Sequence, residues 1–427
     1  MIEISCMNLI KAEIVAIGDE LLYGQTMDTN SHYISGELDK IGVKVVRRTT
    51  VGDEEEAILK VFAEAEARAD VVIITGGLGP TNDDLTKPCL AKYFNCEIKI
   101  HPEALLEVTA FFAQRGRELT ELNRQQAALP VCCEKITNPL GTAPGMWFER
   151  HNKIFVSMPG VPFEMRSMVA NDVIPKLLQK YKMPVIAHQI IRTAGIGESF
   201  LAEKIASWEN SLPSHIKLAY LPGEGGVKLR LTAIGEDPES ISKEFESLRT
   251  SILPLAGHYI FSFNDDPLEV VVGRQLTALG LTLSAAESCT GGYLSHLITS
   301  VPGSSTYFQG SVVAYACEIK TMALGVRTDT LEKHGAVSEE TIREMAAGVR
   351  EKFHTDIGVA TSGVAGPGGG TPEKPVGTVW IAFADKHGVS AKKLQLSKDR
   401  LVNVKLTATA VLNLIHLNIK KYGPPET

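Results

Sequence analysis

The chain has 427 residues, of which 44% are apolar and 22% are charged, and its net charge is −7. These proportions are typical of a folded protein of two or three domains and exclude a disordered chain. The longest apolar runs are too short to cross a bilayer, which excludes a helical membrane protein. The longest basic cluster is only Lys44, Arg47 and Arg48. Because a general nucleic-acid-binding protein is expected to be more basic, the negative net charge and this small cluster disfavour that function.

The start of the chain and its cysteines indicate a reducing compartment. Residues 1–8 contain an acid and lack the basic start and apolar core of a secretory signal, so we expect a cytoplasmic protein without membrane association. The seven cysteines are odd in number and none lies in a CxxC pair. Cys132 and Cys133 are adjacent, which suits neither a disulfide framework nor a zinc site.

The first part of the chain alternates between strand and helix patterns. We predict strands at 13–17, 43–51 and 71–75, and helices at 30–41 and 54–68. This βαβαβ order predicts an α/β domain with a parallel sheet covered by helices. Ligands of such domains bind at the carboxyl ends of the strands.

The rest of the chain divides into a small module and a second α/β domain. The small α+β module has strands at 189–193 and 227–234 and helices at 198–208 and from a turn at 236–238 to about residue 252. The last domain has strands at 281–285, 310–315, 357–361 and 376–384 and helices at 291–299, 338–353 and up to 419. We therefore predict three domains, at 1–180, 181–262 and 263–427.

A glycine-rich loop, residues 75–86, follows the apolar strand 71–75 and precedes a helix. Its glycines allow backbone N–H groups to approach an anion, and the helix start adds a favourable dipole. Asp83 and Asp84 beside such a loop suit a divalent cation that bridges to phosphate oxygens. The alternative is that either aspartate only caps the following helix.

Three further segments are predicted at the same sheet edge. Asp19 follows the first strand, Asp53 follows the second, and residues 138–145 form a loop rich in turn residues that begins at Asn138. Each segment by itself is weak evidence for a binding site. Together they predict an anion site with a bound metal.

The amino-acid sequences of these segments resemble the molybdopterin-binding domain of molybdenum-cofactor biosynthesis proteins. Within that group they are most similar to the amino-terminal domain of the CinA (competence/damage-inducible protein A) family. The matching phrases are AIGDELL (16–22), DTN (28–30), VGD (51–53), TGGLGPTNDDLT (75–86), GTAPG (141–145) and MPGVP (158–162) with Glu164 and Met165. The resemblance implies a three-layer parallel-sheet domain and hydrolysis of ADP-ribose to AMP and ribose 5-phosphate.

The same resemblance implies roles for particular residues. Asp84 and Asp53, assisted by Asp19 or Asp83, would bind a divalent cation (Co²⁺, Mg²⁺ or Mn²⁺), with K⁺ as a further ion. The residues implied in substrate binding are Gly76, Gly77, Gly79, Thr81, Asn30 and Asn138. Molybdopterin chemistry is the alternative for this domain, because its acidic pair would look similar.

A second chemical cluster begins at AESCTGG, residues 286–292, directly after a predicted strand. Ser288 at a strand-to-helix turn would lie near helix N–H groups that can stabilise an oxyanion. A serine needs a base, and a desolvated Lys320 could serve, with Tyr315 as a proton relay or substrate contact. The alternatives are an ordinary helix start, a surface lysine, or Cys289 as nucleophile, although no histidine is near to activate that thiol.

Residues 265–420 resemble the carboxy-terminal CinA domain, the nicotinamide-nucleotide amidase family. The matching phrases are AESCTGG (286–292), GSVVAY (310–315), EIK (318–320), GVAGPGG (363–369) and KPVGT (374–378). The resemblance implies hydrolysis of nicotinamide mononucleotide to nicotinic acid mononucleotide and ammonia, without a metal, by Ser288 with Lys320 and Tyr315. Cys317 departs from the small polar residue usual in relatives.

The amidase resemblance also places the substrate. The amides of the 289–292 turn would hold the oxyanion and the 363–370 loop would hold the nucleotide's phosphate or ribose. The residues implied in these contacts are Thr290, Gly291, Gly292, Gly366, Gly368 and Gly369.

The two resemblances together predict a bifunctional hydrolase of pyridine-nucleotide salvage. Its partners would be the two small nucleotides and a second copy of the chain in a homodimer, with no stable nucleic-acid complex. The alternatives are that only one site is active, or that the chain is a nucleotide-binding partner in competence or DNA-damage responses.

Overall fold

The structure, a computed structural model, describes residues 9–81, 83–223 and 225–423. Residues 1–8, on which the expectation of no secretory signal rests, lie outside the described residues, as does Asn82 of the glycine-rich loop. Among the helices of the described ranges, none is long and apolar enough to cross a membrane.

The chain divides into two compact units. One comprises Met1–Ala187 with Ala233–Ile241, and the other comprises His188–Thr232 with Ser242–Thr427. The finer division into three domains stays a prediction.

The first unit alternates strands and helices along the chain, as the sequence pattern predicts. Its strands are β1 (Lys11–Ile17), β2 (Lys44–Val51), β3 (Val71–Thr75), β4 (Ile98–Ile100), β5 (Ala128–Pro130), β6 (Glu134–Ile136), β7 (Gly145–Arg150) and β8 (Lys153–Met158). Its helices are α1 (Asp19–Leu22), α2 (Thr29–Lys40), α3 (Glu55–Arg68), α4 (Thr86–Tyr93), α5 (Pro102–Ala113), α6 (Glu121–Arg124), α7 (Pro162–Met168) and α8 (Ile174–Lys180).

The main sheet of this unit has the order β2-β1-β3-β8-β7-β6. The pairs from β2 to β8 are parallel, and the last two pairs are antiparallel. Strand β3 is buried along its whole length. Its Val72 and Ile74 belong to one apolar cluster and its Val71 and Ile73 to the other, because side chains alternate across a strand.

The two clusters lie on opposite faces of the sheet. Helices α3, α4 and α5 supply apolar residues to one of them, and α2, α7 and α8 supply the other. The predicted three-layer parallel-sheet domain is therefore confirmed, with an antiparallel edge that the sequence pattern does not reveal.

Gly76 shows why the glycine-rich loop needs its glycines. Its φ is +107°, and a Cβ there would lie 2.1 Å from the carbonyl oxygen of Ile17. Only glycine allows the chain leaving β3 to pass so close to the end of β1. The loop residues after β1, β2 and β3 are thereby gathered at one edge of the sheet.

The middle elements form a small α+β module. Its strands are β9 (Val185–Thr193), β10 (Ile216–Gly223), β11 (Gly226–Gly235) and β12 (Ile260–Ser262), in the order β10-β11-β9-β12. Its helices are α9 (Glu198–Asn210) and α10 (Pro238–Ala256). The predicted elements are confirmed, although β9 begins four residues before the predicted strand. Strands β10 and β12 are not predicted, since β10 lacks a regular alternation of buried and exposed residues and β12 has three residues only.

The last domain is the second α/β fold. Its strands are β13 (Leu283–Glu287), β14 (Phe308–Val313), β15 (Ile357–Gly363), β16 (Thr378–Asp385) and β17 (Gly388–Gln395). Its helices are α11 (Leu268–Ala278), α12 (Tyr293–Thr299), α13 (Cys317–Leu324), α14 (Thr328–His334), α15 (Glu339–Phe353) and α16 (Arg400–Ile419).

The sheet of this domain has the order β14-β13-β15-β16-β17. Strand β13 is parallel to both of its neighbours, and the last two pairs are antiparallel. Helices α11, α12 and α16 cover one face, and α13 and α15 cover the other. The strand predicted at 281–285 lies two residues later, as β13 at Leu283–Glu287. Ser288 therefore follows the strand directly.

A disulfide between Cys96 and Cys132 corrects the expectation from the cysteine pattern. The cause is the antiparallel pair β4–β5, which extends to a backbone bond from Val131 N to Glu97 O of 2.8 Å. This pairing brings together two cysteines that are 36 residues apart in sequence, with their Cα atoms 6.2 Å apart. Adjacency to Cys133 does not prevent the pairing.

The ion pair between Glu13 and Arg68 supports a testable stability prediction. Glu13 is fully buried on β1 and accepts two bonds from the Arg68 guanidinium, each 3.0 Å, and one from Thr49 Oγ1. Burial by itself raises the pKa of Glu13, but these bonds outweigh burial and hold the pKa below its ordinary value of 4.5.

We expect Arg68→Met to lower the free energy of unfolding by about 3 kcal/mol at pH 7, because it leaves a buried carboxylate unpaired. The pair stabilises the fold above pH 4.5, so the effect should shrink as the pH falls through the lowered pKa. Urea unfolding at pH 7 and pH 4 measures this difference. Lys40→Met, which removes the exposed pair with Glu37, is the control, and an equal effect of both variants contradicts the prediction.

Candidate active sites

Ser288 lies at the carboxyl end of β13, in the turn that leads to α12. Its backbone N–H donates to Thr361 O at 3.0 Å, so the end of the neighbouring parallel strand β15 fixes the turn. The side chain is 9% exposed, so the hydroxyl lies at the floor of the site rather than on an open surface. Ser288 therefore lies at a strand-to-helix turn, as predicted.

Lys320 reaches this serine from the first helical turns of α13. Its side chain is 1% exposed, and its Nζ lies 3.0 Å from Ser288 Oγ. The same nitrogen donates to the carbonyl oxygens of Ala314 at 2.6 Å and Tyr315 at 3.1 Å. The structure thus brings Ser288 and Lys320 together and makes the alternative of a surface lysine wrong.

The surroundings of Lys320 suit a base. Burial lowers its pKa below the ordinary 10.5, and no carboxylate is among the groups that hold it. A neutral amine has two N–H groups, which the two carbonyls accept, and one lone pair, which faces Ser288 Oγ. An ammonium group has a third N–H for the same oxygen. A proton can therefore move between Ser288 and Lys320 without movement of their heavy atoms.

Glu287 alters the expectation for the oxyanion site. Its buried carboxylate accepts the backbone N–H groups of Gly292 (2.9 Å), Leu294 (3.1 Å) and Ser295 (2.8 Å), together with the Ser295 hydroxyl. The start of α12 is thus already neutralised by a protein carboxylate.

The amides left for an oxyanion are those at the beginning of the turn. Gly291 N–H donates to Ser288 O at 3.2 Å, so neither Gly291 nor Gly292 offers its amide. Among the described residues, the N–H groups of Cys289 and Thr290 donate to no protein acceptor. The sequence predicts that the amides of residues 289–292 together hold the oxyanion, whereas the structure leaves these two amides free to do so.

Tyr315 lies at the rim of the site and not at its floor. It is 60% exposed, and its hydroxyl accepts a bond of 2.9 Å from Arg400 Nη2. Only its backbone carbonyl contacts Lys320. The proton relay expected for Tyr315 is not formed in this structure, and a contact with substrate is the role that its position allows.

Arg400 connects the rim to the third glycine-rich segment. Its Nη1 donates to Gly366 O at 2.8 Å, while its Nη2 donates to Tyr315. Arg400 is the first residue of α16, whose start is capped by the Asp399 carboxylate. A guanidinium at this rim can hold an anionic group of a ligand by two parallel bonds.

The 363–370 loop approaches from the same side. Asn403 Nδ2 holds its Ala365 carbonyl at 2.9 Å, and Gly368 and Gly369 lie exposed beyond it. Thr290 bonds Thr361 at 2.7 Å through the two hydroxyls, which ties the serine turn to the strand that leads into this loop. Of the glycines predicted in this loop, Gly368 and Gly369 are exposed and Gly366 is buried, and their contact with substrate stays a prediction.

Cys289, the alternative nucleophile, does not suit attack on a substrate. Burial raises the pKa of Cys289 to about 12, so its thiol stays protonated and unreactive. Cys317 is exposed at the first position of α13. Ser288 is therefore the nucleophile that the geometry favours.

The first unit contains the other candidate site, a cavity of about 390 Å³ at the carboxyl edge of its sheet. Gly76, Gly77 and Gly79 line the cavity, as predicted for an anion site. The carboxylates that line it are Glu20, Asp53, Asp83, Asp84 and Glu164, and none of the lining residues is a lysine or arginine.

Asp84 organises the glycine-rich loop. Its Oδ1 accepts Gly79 N at 2.7 Å, and its Oδ2 accepts the N–H (3.0 Å) and hydroxyl (2.5 Å) of Thr81. It does not cap α4, which starts at Thr86 without a side-chain cap. Thr81 is thus bound to Asp84 and is not among the lining residues of the cavity, and its contact with substrate stays a prediction.

Asp19 and Asp53 join the ends of β1 and β2. Asp19 N donates to the Asp53 carboxylate at 3.0 Å, and Asp53 N donates back to the Asp19 carboxylate at 3.3 Å. Burial raises the pKa of Asp53, and the neighbouring charges of Asp19, Glu20 and Asp83 raise it further, although its bond from Asp19 opposes the shift. Uncompensated negative charge therefore accumulates at this edge.

The acidic residues suit a cation that arrives with phosphate. Within the described ranges, no group of three or more His, Cys, Asp or Glu side chains is arranged to hold a metal ion. Mg²⁺ is commonly held by one or two carboxylates together with substrate phosphates and water, and the present carboxylates fit that type of site. Binding of a metal ion at this edge stays a prediction.

Two predicted asparagines have different positions. Asn138 donates to Ala143 O at 2.9 Å and to Glu164 Oε2 at 2.7 Å, and accepts from Leu140 N at 3.2 Å. It does not line the cavity, so its expected contact with substrate is replaced by a positioning role for Glu164. Asn30 is buried beside the cavity, with Nδ2 bonded to Thr75 Oγ1 at 3.0 Å and Gly160 O at 2.8 Å.

Sequence reasoning missed three residues that shape the sites: Arg400, Glu287 and Glu164. Arg400 stands 112 positions after Ser288 in no recognised phrase, so only folding reveals it. Glu287 lies inside the quoted AESCTGG phrase, and a buried acid before a helix start could have been read as its cap. Glu164 is among the residues that carry the family resemblance, but its place in the cavity lining was not predicted.

The fold and the sites define a protein with an α/β domain of molybdopterin-binding type, a small α+β module, and an α/β domain with a buried serine–lysine pair. Comparison with known families assigns a description to each part. Residues 13–179 match "Probable molybdopterin binding domain", 188–262 match "Damage-inducible protein CinA KH domain", and 265–419 match "CinA C-terminal domain". The sequence pattern alone does not identify the middle module as a KH domain.

Curated relatives cover nearly the whole chain. A "CinA-like protein" of Cytophaga hutchinsonii is 50% identical over 412 residues, which is 96% of this chain and 99% of that protein. A "Putative competence-damage inducible protein" of Halothermothrix orenii is 40% identical over 411 residues, 96% and 98% of the two chains. The chain therefore belongs to the CinA family.

Solved structures resemble single parts of the chain. CinA from Thermoplasma acidophilum, described as of unknown function, is 33% identical with a TM-score of 0.36, and it matches 41% of this chain and 98% of that one.

Proposed function

We propose that the last domain hydrolyses the carboxamide of nicotinamide mononucleotide to give nicotinic acid mononucleotide and ammonia. The observation that carries the proposal is the 3.0 Å contact between Ser288 Oγ and the buried Lys320 Nζ. An amide is a poor acyl donor, so its hydrolysis requires an activated nucleophile and a stabilised oxyanion. The site contains groups for both tasks.

The reaction proceeds in two acyl-transfer steps. Ser288 Oγ attacks the carboxamide carbon while Lys320 takes its proton, and the amides of Cys289 and Thr290 stabilise the oxyanion. Lys320 then returns the proton to the departing nitrogen, so ammonia leaves and an ester to Ser288 remains. Water attacks this ester with Lys320 again as base, which releases the carboxylate product and restores Ser288.

Arg400 and Tyr315 recognise the nucleotide. Arg400 donates to the Tyr315 hydroxyl and the Gly366 carbonyl, and the backbone of the same tyrosine accepts a bond from Lys320. A phosphate is the part of nicotinamide mononucleotide that a guanidinium binds best. The phosphate would therefore lie at Arg400 and the exposed glycines, with the carboxamide at the floor.

We further propose that the first unit hydrolyses the diphosphate of ADP-ribose to AMP and ribose 5-phosphate. The support is the glycine-lined cavity with its five carboxylates. Asp53 and Asp84, with Asp19 or Asp83, would hold a divalent cation, which when bound neutralises phosphate charge and favours attack by water. The Gly76–Gly79 backbone orients the diphosphate, and Asp84 keeps that backbone in place.

A second candidate for the first unit is a nucleotide-binding module without turnover. The observation in its favour is that both carboxylate oxygens of Asp84 already accept bonds from Gly79 and Thr81, so this residue holds the loop in place. In that case only the amidase site is active, and the first unit would sense a nucleotide in competence or damage responses. The homodimer and the absence of a stable nucleic-acid complex stay predictions.

Two single variants test the two activities against each other. We expect Ser288→Ala to reduce ammonia release from nicotinamide mononucleotide by about 10³-fold or more, because it removes the nucleophile, and to leave ADP-ribose hydrolysis intact. We expect Asp84→Asn to reduce AMP formation by about 10²-fold and to leave ammonia release intact. Each variant is the folding control for the other.

Ammonia and AMP are measured on the same full-length preparations, with Mg²⁺, Mn²⁺ or Co²⁺ and with a chelator. An active Ser288→Ala protein would overturn the amidase assignment. AMP formation that is absent from the wild type with every cation would favour the binding module.

Arg400→Ala tests recognition of the phosphate. We expect KM for nicotinamide mononucleotide to rise about tenfold or more, because a charge-assisted bond is lost, while the rate with nicotinamide riboside changes little. Steady-state ammonia release with both substrates measures this split. Arg343→Ala, which removes an exposed arginine of α15, is the control, and an equal loss with both substrates would contradict the phosphate contact.

A further inference from the structure

Asn403 is a buried amide on α16, one helical turn after Arg400. It is 1% exposed. Its Nδ2 donates to Ala365 O and to Ser397 O, each at 2.9 Å, and its Oδ1 accepts the N–H of Ser397 at 2.9 Å. One side chain therefore ties the 363–370 loop to the connection between β17 and α16.

The chemistry of these three bonds specifies an amide. Two of the partners are carbonyl oxygens, which only accept, and the third is a backbone N–H, which only donates. The orientation of the Asn403 side chain is thereby fixed, since turning the amide round would place oxygen against oxygen. An ionised aspartate has nearly the same shape but no hydrogen to donate to the two carbonyls. Substitution by aspartate therefore breaks the tie with little change of volume.

Arg400 holds the next residue of the same loop. Its Nη1 donates to Gly366 O at 2.8 Å, so Arg400 and Asn403 bind successive loop residues from one side of α16. Gly366 also passes close to the connection, because a Cβ there would lie 3.0 Å from Lys398 O. The loop is therefore docked on the start of the helix that carries the guanidinium.

This docking bears on ligand binding because the loop continues into exposed glycines, Gly368 and Gly369. Glycine has the largest backbone freedom of all residues. A loop that is free to move must be ordered when a ligand binds, and the cost of ordering lowers the affinity. With Ala365 and Gly366 held by α16, the glycine backbone starts from a fixed point beside the Arg400 guanidinium.

We propose that Asn403 is a positioning residue that sets the preference of the amidase site for a phosphorylated nucleotide over the nucleoside. Its own amide binds backbone groups, and it acts by holding the 363–370 loop against the Arg400 guanidinium. The proposal rests on the proposed function of the last domain, in which the phosphate of nicotinamide mononucleotide lies at Arg400.

Asn403→Asp tests this preference with two substrates in the full-length protein. We expect KM for nicotinamide mononucleotide to rise about tenfold, because the loop is released from α16, while kcat stays within about twofold of the wild type. Kinetics with nicotinamide riboside, which has no phosphate, should change by less than about twofold. Steady-state ammonia release measures both.

Asn418→Asp is the matched control, because it alters a half-buried amide that donates to Leu414 O on the same helix. We expect this variant to leave both KM values unchanged. A rise of KM for nicotinamide mononucleotide that is equal in the two variants would contradict a specific role of Asn403.

A double variant shows whether Asn403 acts through Arg400. If it does, Asn403→Asp raises the KM of the Arg400→Ala protein by no more than about twofold, because the guanidinium that the tie positions is already absent. A further rise as large as the one in the wild-type background would overturn the proposal.

Loss of folded protein and added charge are both distinguishable from loss of the tie. A smaller active fraction lowers kcat for both substrates by one factor and leaves KM unchanged, and that result would overturn the positioning role. Asn403→Ala removes the tie without a negative charge, and we expect it to raise the same KM several-fold. A rise with aspartate but none with alanine would assign the effect to repulsion of the phosphate and overturn the proposal.

Binding measurements separate the proposal from the proposed function. Nicotinic acid mononucleotide is titrated by calorimetry into the wild type, Asn403→Asp and Arg400→Ala. If the wild type releases no ammonia but both variants bind this nucleotide more weakly by a similar factor, the positioning role stands and the amidase assignment fails. If ammonia is released and Asn403→Asp keeps the wild-type KM, the amidase stands and the positioning role fails. Neither turnover nor binding in the wild type overturns both.

Discussion

The contact between Lys320 and Ser288 is the interaction on which the chemistry of the last domain depends. A lysine side chain is rarely buried without a carboxylate, because loss of water disfavours the ammonium form. Here two backbone carbonyls and one hydroxyl replace the water around Nζ. Burial disfavours the ammonium form of Lys320, so the amine can be neutral when it acts as a base on Ser288.

The same geometric device positions both sites. Each lies where parallel strands end together, at β1, β2 and β3 in the first unit and at β13 and β15 in the second. The backbone beyond those ends turns sharply, so amides and short side chains converge there. The charges then separate the two chemistries: carboxylates surround the first cavity, whereas the second site has a buried amine and a guanidinium at its rim.

Much of this arrangement could be predicted from the sequence. Apolar runs such as 71–75 identify buried strands, and the glycine-rich phrases after them identify the ligand edges. Ser288 and Lys320 are predicted to act together although they are 32 residues apart in sequence. They meet because the strands that precede them, β13 and β14, are neighbours in the sheet. Local pattern could not show contacts that folding creates between distant segments. Arg400 beside Tyr315, Asn138 bonded to Glu164, and Cys96 paired with Cys132 are of that kind.

Protonation of Lys320 is the most direct test of the central claim. With ¹⁵N-labelled lysine, the Nζ signal of Lys320 is assigned by its absence in Lys320→Met and followed against pH by NMR. Burial predicts that it titrates below 10.5, apart from the surface lysines, and amidase activity should rise with pH through the same pKa. Titration together with the surface lysines, or activity that falls as Lys320 loses its proton, would contradict a neutral lysine as the base of this site.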